Sequence, residues 1–250
     1  MSSIFWIKPD QPLPDPTTAP ADGLLAAGYD LSIQRLHEAY SKGIFPWFSD
    51  GDPVLWWSPD PRMVLPCADL KVSRSLEKKL KPIQQTEQQL NAPFRITANM
   101  TFEAVMDACS QPRGGQPGTW ISPWIKDVYT EWHHAGFAHS IETWHEGKLV
   151  GGLYGVSIGG CFFGESMFTR VSDASKLALV YLTRFLKNHG VELIDCQQET
   201  THLASLGAKP ISRAHFLQAL TKTLGRPAPP WQSGQLLQHG VFAQGATNPP

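Results

Sequence analysis

A carboxylate and a carboxamide lie two residues apart in the last quarter of this 250-residue chain. Asp195 and Gln197 follow an apolar pair in a segment, residues 191–197, whose composition predicts a β-strand. Because alternate side chains of a strand point to the same face, we expect Asp195 and Gln197 to project together, with Cys196 on the opposite face. Such a polar pair after an apolar run indicates a cleft in which an amine could be oriented and relieved of a proton.

Glu165 is a third candidate, because it lies at the end of a predicted strand, residues 161–166, whose first residues are apolar. Such a carboxylate is either a structural ion-pair partner, with Arg170 nearby in the sequence, or a receptor for a cation, and the sequence leaves both open. A turn at residues 170–175 then leads into a long predicted helix. Coenzyme A-dependent acetyltransferases hold pyrophosphate with a glycine-rich turn at this place. Here Asp173 adds a negative charge, which argues against an acyl-coenzyme A donor.

The composition bounds the class of protein. The formal net charge is -1, so any nucleic-acid contact must come from a local patch. The four cysteines form no C-x-x-C pair, which indicates reduced, partly buried thiols. Histidines, cysteines and carboxylates show no zinc-ligand spacing, so we expect no metal. No apolar run approaches the roughly 20 residues of a membrane span, and no basic leader precedes an apolar run, so we expect no membrane association and a cytoplasmic location.

One local basic patch lies on a predicted amphipathic helix over residues 73–83. It forms either a solvated face or a contact for a phosphate backbone, and composition by itself favours the solvated face. Several of the nine tryptophans lie in glycine- and proline-rich segments, where they either cap small cores or form a stacking surface for a base. The basic residues are Lys71, Arg74, Lys78, Lys79 and Lys81.

The elements that must position these groups divide the chain into two parts. Residues 1–68 begin with a proline-rich arm and continue into a stretch rich in proline and tryptophan, which predicts a small N-terminal domain with little strand. Residues 69–250 carry a β-β-β-α-β-α order with mixed strand connections, which predicts an α+β domain. The end of the chain, residues 226–250, is rich in proline, glycine and glutamine, and we expect it to be partly disordered.

Ten short motifs in collinear order carry a resemblance to a known family. Among them are G-I-F-P-W-F at 43–48, L-W-W-S-P-D-P-R at 55–62, F-G-E-S-M-F at 163–168 and L-I-D-C-Q at 193–197. Over residues 20–225 the chain closely resembles the leucyl/phenylalanyl-tRNA–protein transferase family. The resemblance implies transfer of leucine or phenylalanine, and methionine less well, from aminoacyl-tRNA to proteins with N-terminal arginine or lysine. Such proteins are thereby marked for degradation in the N-end rule pathway.

The resemblance also implies a fold and a set of site residues. The implied fold is a small N-terminal domain and an acetyltransferase-like (GNAT) domain with a central mixed β-sheet flanked by helices, and no metal or cofactor is expected. We expect a monomer, although the sequence carries no signal for the oligomeric state. The family's catalytic pair corresponds to Asp195 and Gln197, and its acidic acceptor-side residue to Glu165. The aminoacyl pocket corresponds to Leu153, Phe162, Leu182 and Leu186, and the 3′-adenosine contacts to Trp47 and Trp120. The resemblance favours tRNA binding by the basic helix, at Arg74 and Lys78 with Lys71 and Lys81 beside them.

These assignments predict a mechanism and leave two alternatives. The ester of aminoacyl-tRNA is already activated, and the nucleophile is an α-amine with a usual pKa of about 7.7–8.0. Because a carboxamide is no base at neutral pH, we expect Gln197 to orient the amine and Asp195 to polarise or fix Gln197. One alternative is a coenzyme A-dependent N-acetyltransferase, which Asp173 opposes. The other is an adaptor that binds tRNA or N-terminal degrons without catalysis.

Overall fold

The structure is a computed structural model that describes residues 4–112 and 120–244. Its strands are β1 Leu24–Gly28, β2 Phe45–Pro46, β3 Val54–Trp57, β4 Arg62–Pro66, β5 Phe94–Ala98, β6 Ala138–His145, β7 Lys148–Ile158, β8 Cys161–Thr169, β9 Leu193–Asp195, β10 Lys209–Ile211 and β11 Gly234–Gln235. Its helices are α1 Ile33–Ser41, α2 Arg74–Thr86, α3 Phe102–Ser110, α4 Pro123–His134, α5 Ala174–Asn188, α6 Thr201–Ser205 and α7 Arg213–Leu224.

The larger sheet has eight strands in the order β10-β4-β9-β8-β7-β6-β5-β11. Strands β8 and β9 pair in parallel and the other neighbours are antiparallel, so the sheet is mixed. One hydrophobic core contains the buried sides of α1, α3, α4 and α7, and a second contains those of α2 and α5. The predicted α+β class, with a mixed sheet flanked by helices, is confirmed.

A second, three-stranded antiparallel sheet lies in the N-terminal part, in the order β1-β3-β2. The expectation of little strand over residues 1–68 is therefore wrong. Tryptophan favours strands because its broad ring packs well on a pleated surface, and here Trp56 is fully buried while Trp57 pairs with both neighbours. The domain boundary at residue 68 stays a prediction, although β4, which precedes it, pairs within the larger sheet.

Strands β8 and β9 separate soon after they meet, and this separation shapes a cavity between them. They pair only at Phe162 with Ile194 and at Phe163 with Asp195. Strand β8 then continues along β7 to Thr169, with a register shift opposite Tyr154 and Gly155, whereas β9 ends at Asp195. The chain beyond Asp195 therefore leaves the sheet beside the second half of β8.

The described part of the C-terminal segment, residues 226–244, packs against the rest of the molecule, and partial disorder of the tail stays a prediction. Strand β11 pairs with β5, and the Trp231 ring stacks on His139 with 4.1 Å between ring centroids. Further along, the backbone N–H of Gln238 donates to both carboxylate oxygens of the buried Glu87. Residues 245–250 of the predicted disordered tail lie outside the described residues. No helix within the described ranges is long and apolar enough to cross a lipid bilayer.

Candidate active site

A cavity of about 450 Å³ lies where β8 and β9 separate. The structure brings to its wall most of the residues singled out in the sequence: Trp47, Trp120, Leu153, Phe162, Glu165, Leu182 and Gln197. Strands β7 and β8 and helix α5 supply the apolar side chains, including Met167 and Leu179 in addition to those predicted. The chain after β9 supplies polar ones, including Gln198 and Thr200. The cavity thus joins an apolar wall to a polar one.

Asp195 lies beneath this cavity and is fully buried. Its Oδ1 accepts a hydrogen bond from Arg62 Nε at 2.8 Å, and its Oδ2 accepts one from Arg62 Nη2 at 2.7 Å. The guanidinium is buried in turn between the rings of Phe45 and Phe216, at 4.7 and 4.6 Å from their centroids. Both oxygens of Asp195 are therefore committed to a cation, as expected for a buried carboxylate.

The expectation that Asp195 and Gln197 project from one strand face is wrong. Strand β9 ends at Asp195, and Gln197 has a left-handed backbone with φ 57°. Two hydrogen bonds of the Gln197 backbone fix that conformation locally. The Gln197 backbone N–H donates to Asp195 Oδ1 at 3.0 Å, and the Gln197 backbone carbonyl accepts from the Met63 backbone N–H at 3.1 Å. The turn sends the Gln197 side chain into the cavity and leaves Asp195 in the core. Non-glycine residues in this region are uncommon and are enriched at functional sites.

Glu165 is the acidic group of the cavity. Its Oε1 accepts a hydrogen bond from Tyr40 Oη at 2.7 Å and one from Gln197 Nε2 at 3.3 Å. Burial raises the pKa of the Glu165 carboxyl to about 8; the Tyr40 hydrogen bond opposes this rise. The nearby Asp195 charge raises the pKa further, and that of Arg62 lowers it.

Arg170 does not pair with Glu165. Its guanidinium lies over the Phe168 ring, 5.4 Å from the centroid, and donates to the Leu149 carbonyl. Of the two sequence-based interpretations of Glu165, an ion pair with Arg170 is therefore wrong. Glu165 lines the cavity and forms no ion pair with any described residue, which favours the second interpretation, a receptor for a cation once the carboxyl is ionised.

Leu186 is the one predicted pocket residue that does not line the cavity. Leu179 and Leu182 face the cavity from α5, whereas Leu186 lies one turn further along the helix, fully buried in the second core. At 1.5 Å per residue this turn adds about 6 Å along the helix axis. The prediction that Leu186 belongs to the pocket is corrected for this reason.

The tryptophans differ in exposure and in support. Trp47 is 41% exposed on the cavity wall, and its carbonyl accepts a hydrogen bond from Trp57 Nε1 at 2.7 Å. The two rings meet edge to face with centroids 5.7 Å apart, which fixes the exposed indole. Trp120, on the segment before α4, lines the same cavity and is partly buried. Contact of Trp47 and Trp120 with a terminal adenosine stays a prediction.

The basic helix has the predicted amphipathic form as α2, which buries Leu76, Leu80 and Ile83. Its positive side chains divide into two sets. Lys79 binds Asp173 at 2.6 Å, so Lys79 is part of a structural contact. The other basic residues, Lys71, Arg74, Lys78 and Lys81, are exposed and form no ion pair with any described residue.

Asp173 occupies the turn before α5, where an acyl-coenzyme A enzyme would hold pyrophosphate. It has φ 70° and binds Lys79 and Lys176, the latter at 2.9 Å. These contacts lower the pKa of Asp173, so the position carries a firm negative charge. Within the described ranges no group of three His, Cys, Asp or Glu side chains is arranged to hold a metal ion. A reaction without metal or cofactor stays a prediction.

Three side chains around the cavity carry no sequence signal that singles them out. Arg62 ends the motif at residues 55–62, but its partner Asp195 lies 133 positions further along the chain. Tyr40 and Tyr129 read as ordinary apolar-face residues of α1 and α4. Only the tertiary structure brings these groups to the two carboxylates.

Comparison with known proteins extends over nearly the whole chain. The family model described as leucyl/phenylalanyl-tRNA protein transferase matches residues 64–221, and that of the N-terminal domain of the same protein matches residues 29–60. A protein named leucyl/phenylalanyl-tRNA--protein transferase from Bordetella petrii is 56% identical over 237 residues, 94% of each chain. A protein of the same name from Janthinobacterium sp. is 52% identical over 242 residues, 94% of this chain and 99% of that one.

Among solved structures, a GCN5-related N-acetyltransferase from Kribbella flavida aligns with 70% of this chain and 60% of its own, at a TM-score of 0.36 and 12% identity. The family models and the two relatives agree on one assignment. The chain belongs to the leucyl/phenylalanyl-tRNA protein transferase family.

Proposed function

We propose that this protein transfers leucine or phenylalanine, and methionine less well, from aminoacyl-tRNA to the N-terminal arginine or lysine of acceptor proteins, marking them for N-end rule degradation. Membership of the family supports the transfer itself. The observation that carries the acceptor preference is a carboxylate in the cavity: Glu165 lies in hydrogen-bond contact with Gln197, on the wall that continues into an apolar pocket. A cationic acceptor side chain and an apolar donor side chain match these two surfaces.

The apolar wall suits the aminoacyl group of the donor. Leu153, Phe162 and Leu182 offer hydrocarbon and aromatic surface but no charge, so leucine and phenylalanine would bury their side chains there. One methylene in such a pocket changes specificity by only about 1–3 kcal/mol. Acceptance of two or three apolar amino acids therefore follows from the nature of the pocket. Trp47 and Trp120 offer stacking surfaces for the terminal adenine on the same wall.

The chemistry requires a neutral acceptor amine and a well-oriented ester. The amine nitrogen attacks the ester carbonyl carbon, the peptide C–N bond forms, and the bond from that carbon to the ribose oxygen breaks. Gln197 orients the amine with its side-chain amide. Asp195 acts as a positioning residue that fixes the Gln197 backbone, since Arg62 holds both of its oxygens. The amine proton leaves to water or to the terminal ribose hydroxyl.

Positioning supplies much of the rate on this account. Two oriented reactants gain up to about 7–11 kcal/mol relative to free encounter, and the ester supplies the driving force without ATP. Because the ion pair with Arg62 neutralises Asp195, we expect water or a ribose hydroxyl, and not Asp195, to carry the proton. We also expect a cytoplasmic location and a monomeric state. Size-exclusion chromatography with light scattering would test the monomeric state.

A direct assay tests the transfer and the acceptor preference together. Purified protein is incubated with radiolabelled Leu-tRNA or Phe-tRNA and with peptides that differ only in an N-terminal arginine, lysine, alanine or glutamate. We expect label on the arginine and lysine peptides alone. Equal labelling of the alanine peptide would contradict the proposed role of Glu165, and no labelling of any peptide would contradict the transfer.

The transfer assay, together with a binding and a thermal-shift measurement, separates the two alternatives. A binding adaptor would retain arginine-initiated peptides but label none of them. A coenzyme A-dependent acetyltransferase would be stabilised by coenzyme A in a thermal-shift measurement. We expect no such stabilisation, because Asp173 and its two lysine partners already fill the turn before α5.

A further inference from the structure

A directed chain of hydroxyl groups ends on Glu165. Tyr40 Oη, from α1, donates to Glu165 Oε1 at 2.7 Å, and the hydroxyls of Tyr40 and Tyr129, from α4, lie 2.6 Å apart. A phenol carries one proton, so when Glu165 is ionised and accepts from Tyr40, the Tyr129 hydroxyl donates to Tyr40. Both tyrosines are fully buried. The proposed reaction does not yet use either of them.

Both phenol rings are held in place independently of their hydroxyls. The Tyr40 ring meets Trp132 and Phe163 edge to face, with centroids 5.3 and 5.0 Å apart. The Tyr129 ring meets Trp132 and Tyr154 in the same way, at 5.9 and 6.0 Å. Because these contacts are made by the rings, a phenylalanine at either position would fill the same space and lack only the hydrogen bond.

The two oxygens of Glu165 are unequally occupied. Oε1 accepts from Tyr40 and from Gln197, whereas Oε2 accepts no hydrogen bond from the residues that the structure describes. The carboxyl, which lines the cavity, is thus tethered through one oxygen, while the other has no donor among the described residues. A guanidinium or ammonium group needs an oxygen of this kind, with its carboxylate ionised.

We propose that Tyr40 and Tyr129 are positioning residues for the acceptor side chain: their hydroxyl chain ties one oxygen of Glu165, stabilises its charged form and leaves the other oxygen for the N-terminal arginine or lysine. This inference rests on the proposed function, and it adds two residues to the recognition site. Tyr40 comes from the N-terminal part of the chain and Tyr129 from the larger part, so the acceptor site depends on both.

The charge balance around Glu165 explains why the chain matters. Burial and the Asp195 charge raise the pKa of the Glu165 carboxyl, whereas the Tyr40 hydrogen bond and the Arg62 charge lower it. Arg62 and Asp195 largely cancel, since they form an ion pair with each other. The phenol is then the main group that favours the carboxylate. Removing it would leave Glu165 neutral to higher pH and weaken its attraction for a cation.

The test compares Tyr40→Phe, Tyr129→Phe and the double variant with the unaltered protein. Binding of a fluorescent arginine-initiated peptide is measured by anisotropy between pH 6.5 and 9, and both KM values are measured in the transfer assay. We expect Tyr40→Phe to weaken peptide binding and raise the peptide KM about tenfold, with the KM for Phe-tRNA unchanged. The pH midpoint of peptide binding should move upward. The peptide's own α-amine titrates equally in every variant and does not affect this comparison.

The chain geometry makes a further, stricter prediction. Tyr129→Phe should shift the same quantities in the same direction by a smaller factor. The double variant should resemble Tyr40→Phe, because removing the Tyr40 hydroxyl already disconnects Tyr129 from Glu165. Additive losses in the double variant would contradict a chain and overturn the inference.

A matched control removes a similar hydroxyl elsewhere. Tyr181 Oη donates to the buried Glu87 carboxylate at 2.7 Å, so Tyr181→Phe loses the same type of bond outside the acceptor site. It should leave peptide binding and both KM values unchanged. The inference is overturned if Tyr40→Phe and Tyr129→Phe, both folded by thermal melting, bind the peptide within twofold of the unaltered protein. Failure of the unaltered protein to bind the peptide would also overturn it, whereas binding without transfer would contradict only the proposed function.

Discussion

At the scale of single residues, the two carboxylates near the cavity are made chemically different by their surroundings. Asp195 has a bidentate guanidinium partner and no exposed surface, so it is a charged structural group. Glu165 has neutral donors and a cavity in front of it, and burial raises its pKa to about 8. The Arg62–Asp195 pair holds the backbone of Gln197, and the Glu165 carboxyl faces the cavity.

Asp195→Asn tests whether Asp195 positions Gln197 or accepts the amine proton. The variant leaves Arg62 buried without its counter-charge, which destabilises the fold by about 3–5 kcal/mol. We expect a lower kcat with an unchanged pH–rate profile, measured with arginine-initiated peptide. If Asp195 were the base, its ionisation would disappear from the acid limb of the profile. Arg62→Met combined with Asp195→Asn removes the unpaired charge and should recover part of the lost Tm.

Glu165→Gln should change how stability depends on pH. A pKa of about 8 in the folded protein, against the usual 4.5, means that the folded state keeps a proton that the unfolded chain has released. Stability from this group is therefore complete below pH 4.5 and is lost as the pH rises through 8. Glu165→Gln should show a higher Tm than the unaltered protein at pH 9 and a similar one at pH 5. Glu103→Gln, an exposed control on α3, should keep the original pH dependence.

At the scale of elements, the two faces of α2 have different roles. Leu76, Leu80 and Ile83 hold the helix in the second core, and the exposed basic set on its other side makes no ion pair with any described residue. A face without internal partners can bind phosphates without first breaking contacts of its own. Because the chain belongs to a family that uses aminoacyl-tRNA, we propose that this face contacts the tRNA backbone.

Arg74→Ala with Lys78→Ala should raise the KM for aminoacyl-tRNA and weaken its dependence on salt. Each lost phosphate contact lowers the slope of log KM against log salt by about one, so the pair should lower it by about two. The peptide KM should not change. The matched control for Lys78→Ala is Lys222→Ala. It removes one exposed lysine from α7, whose buried side packs into the first core. Equal effects of these two single variants would indicate a loss of general charge attraction and not a specific face.

The elements show which features the sequence could predict. Helices α4 and α7 begin and end where their serine caps and following glycines place them, because these signals act within a few residues. The end of β9 was not predictable in this way. Its position depends on Gln197 leaving the strand, which depends on Asp195, which Arg62 fixes from 133 positions away. The pocket limit before Leu186 likewise depends on how α5 crosses the sheet. The motifs predicted most of the residues that line the cavity, whereas the different surroundings of Asp195, Gln197 and Leu186 depend on tertiary contacts.

At the scale of the whole molecule, the cavity is a meeting point of distant segments. Tyr40 and Trp47 come from the N-terminal part, Glu165 from the middle of the larger sheet, and Gln197 from the chain beyond β9. The C-terminal segment approaches the same cavity from outside its wall. Trp231 stacks on His139 and approaches Phe162, which lines the cavity, with 5.8 Å between ring centroids.

This arrangement predicts that the C-terminal segment supports the proposed aminoacyl pocket. Trp231 packs against Phe162 from outside the cavity, so its removal would let that ring move away from the bound side chain. Phe242 anchors the same segment on the Phe185 ring, with centroids 5.5 Å apart. The two aromatics share the task of holding the segment, but only Trp231 contacts a residue of the pocket.

Trp231→Ala should therefore affect both stability and donor preference, whereas Phe242→Ala should affect stability alone. We expect each variant to lose roughly 2–3 kcal/mol, less than a fully buried aromatic would, because both rings are partly exposed. In competition between Leu-tRNA and Phe-tRNA, Trp231→Ala should shift the ratio of kcat/KM toward phenylalanine, since the widened pocket is emptier around leucine. A threefold shift would exceed the change expected from destabilisation, which acts equally on both donors. An unchanged ratio in Trp231→Ala, or an equal shift in Phe242→Ala, would show that the segment supports the fold without shaping the pocket.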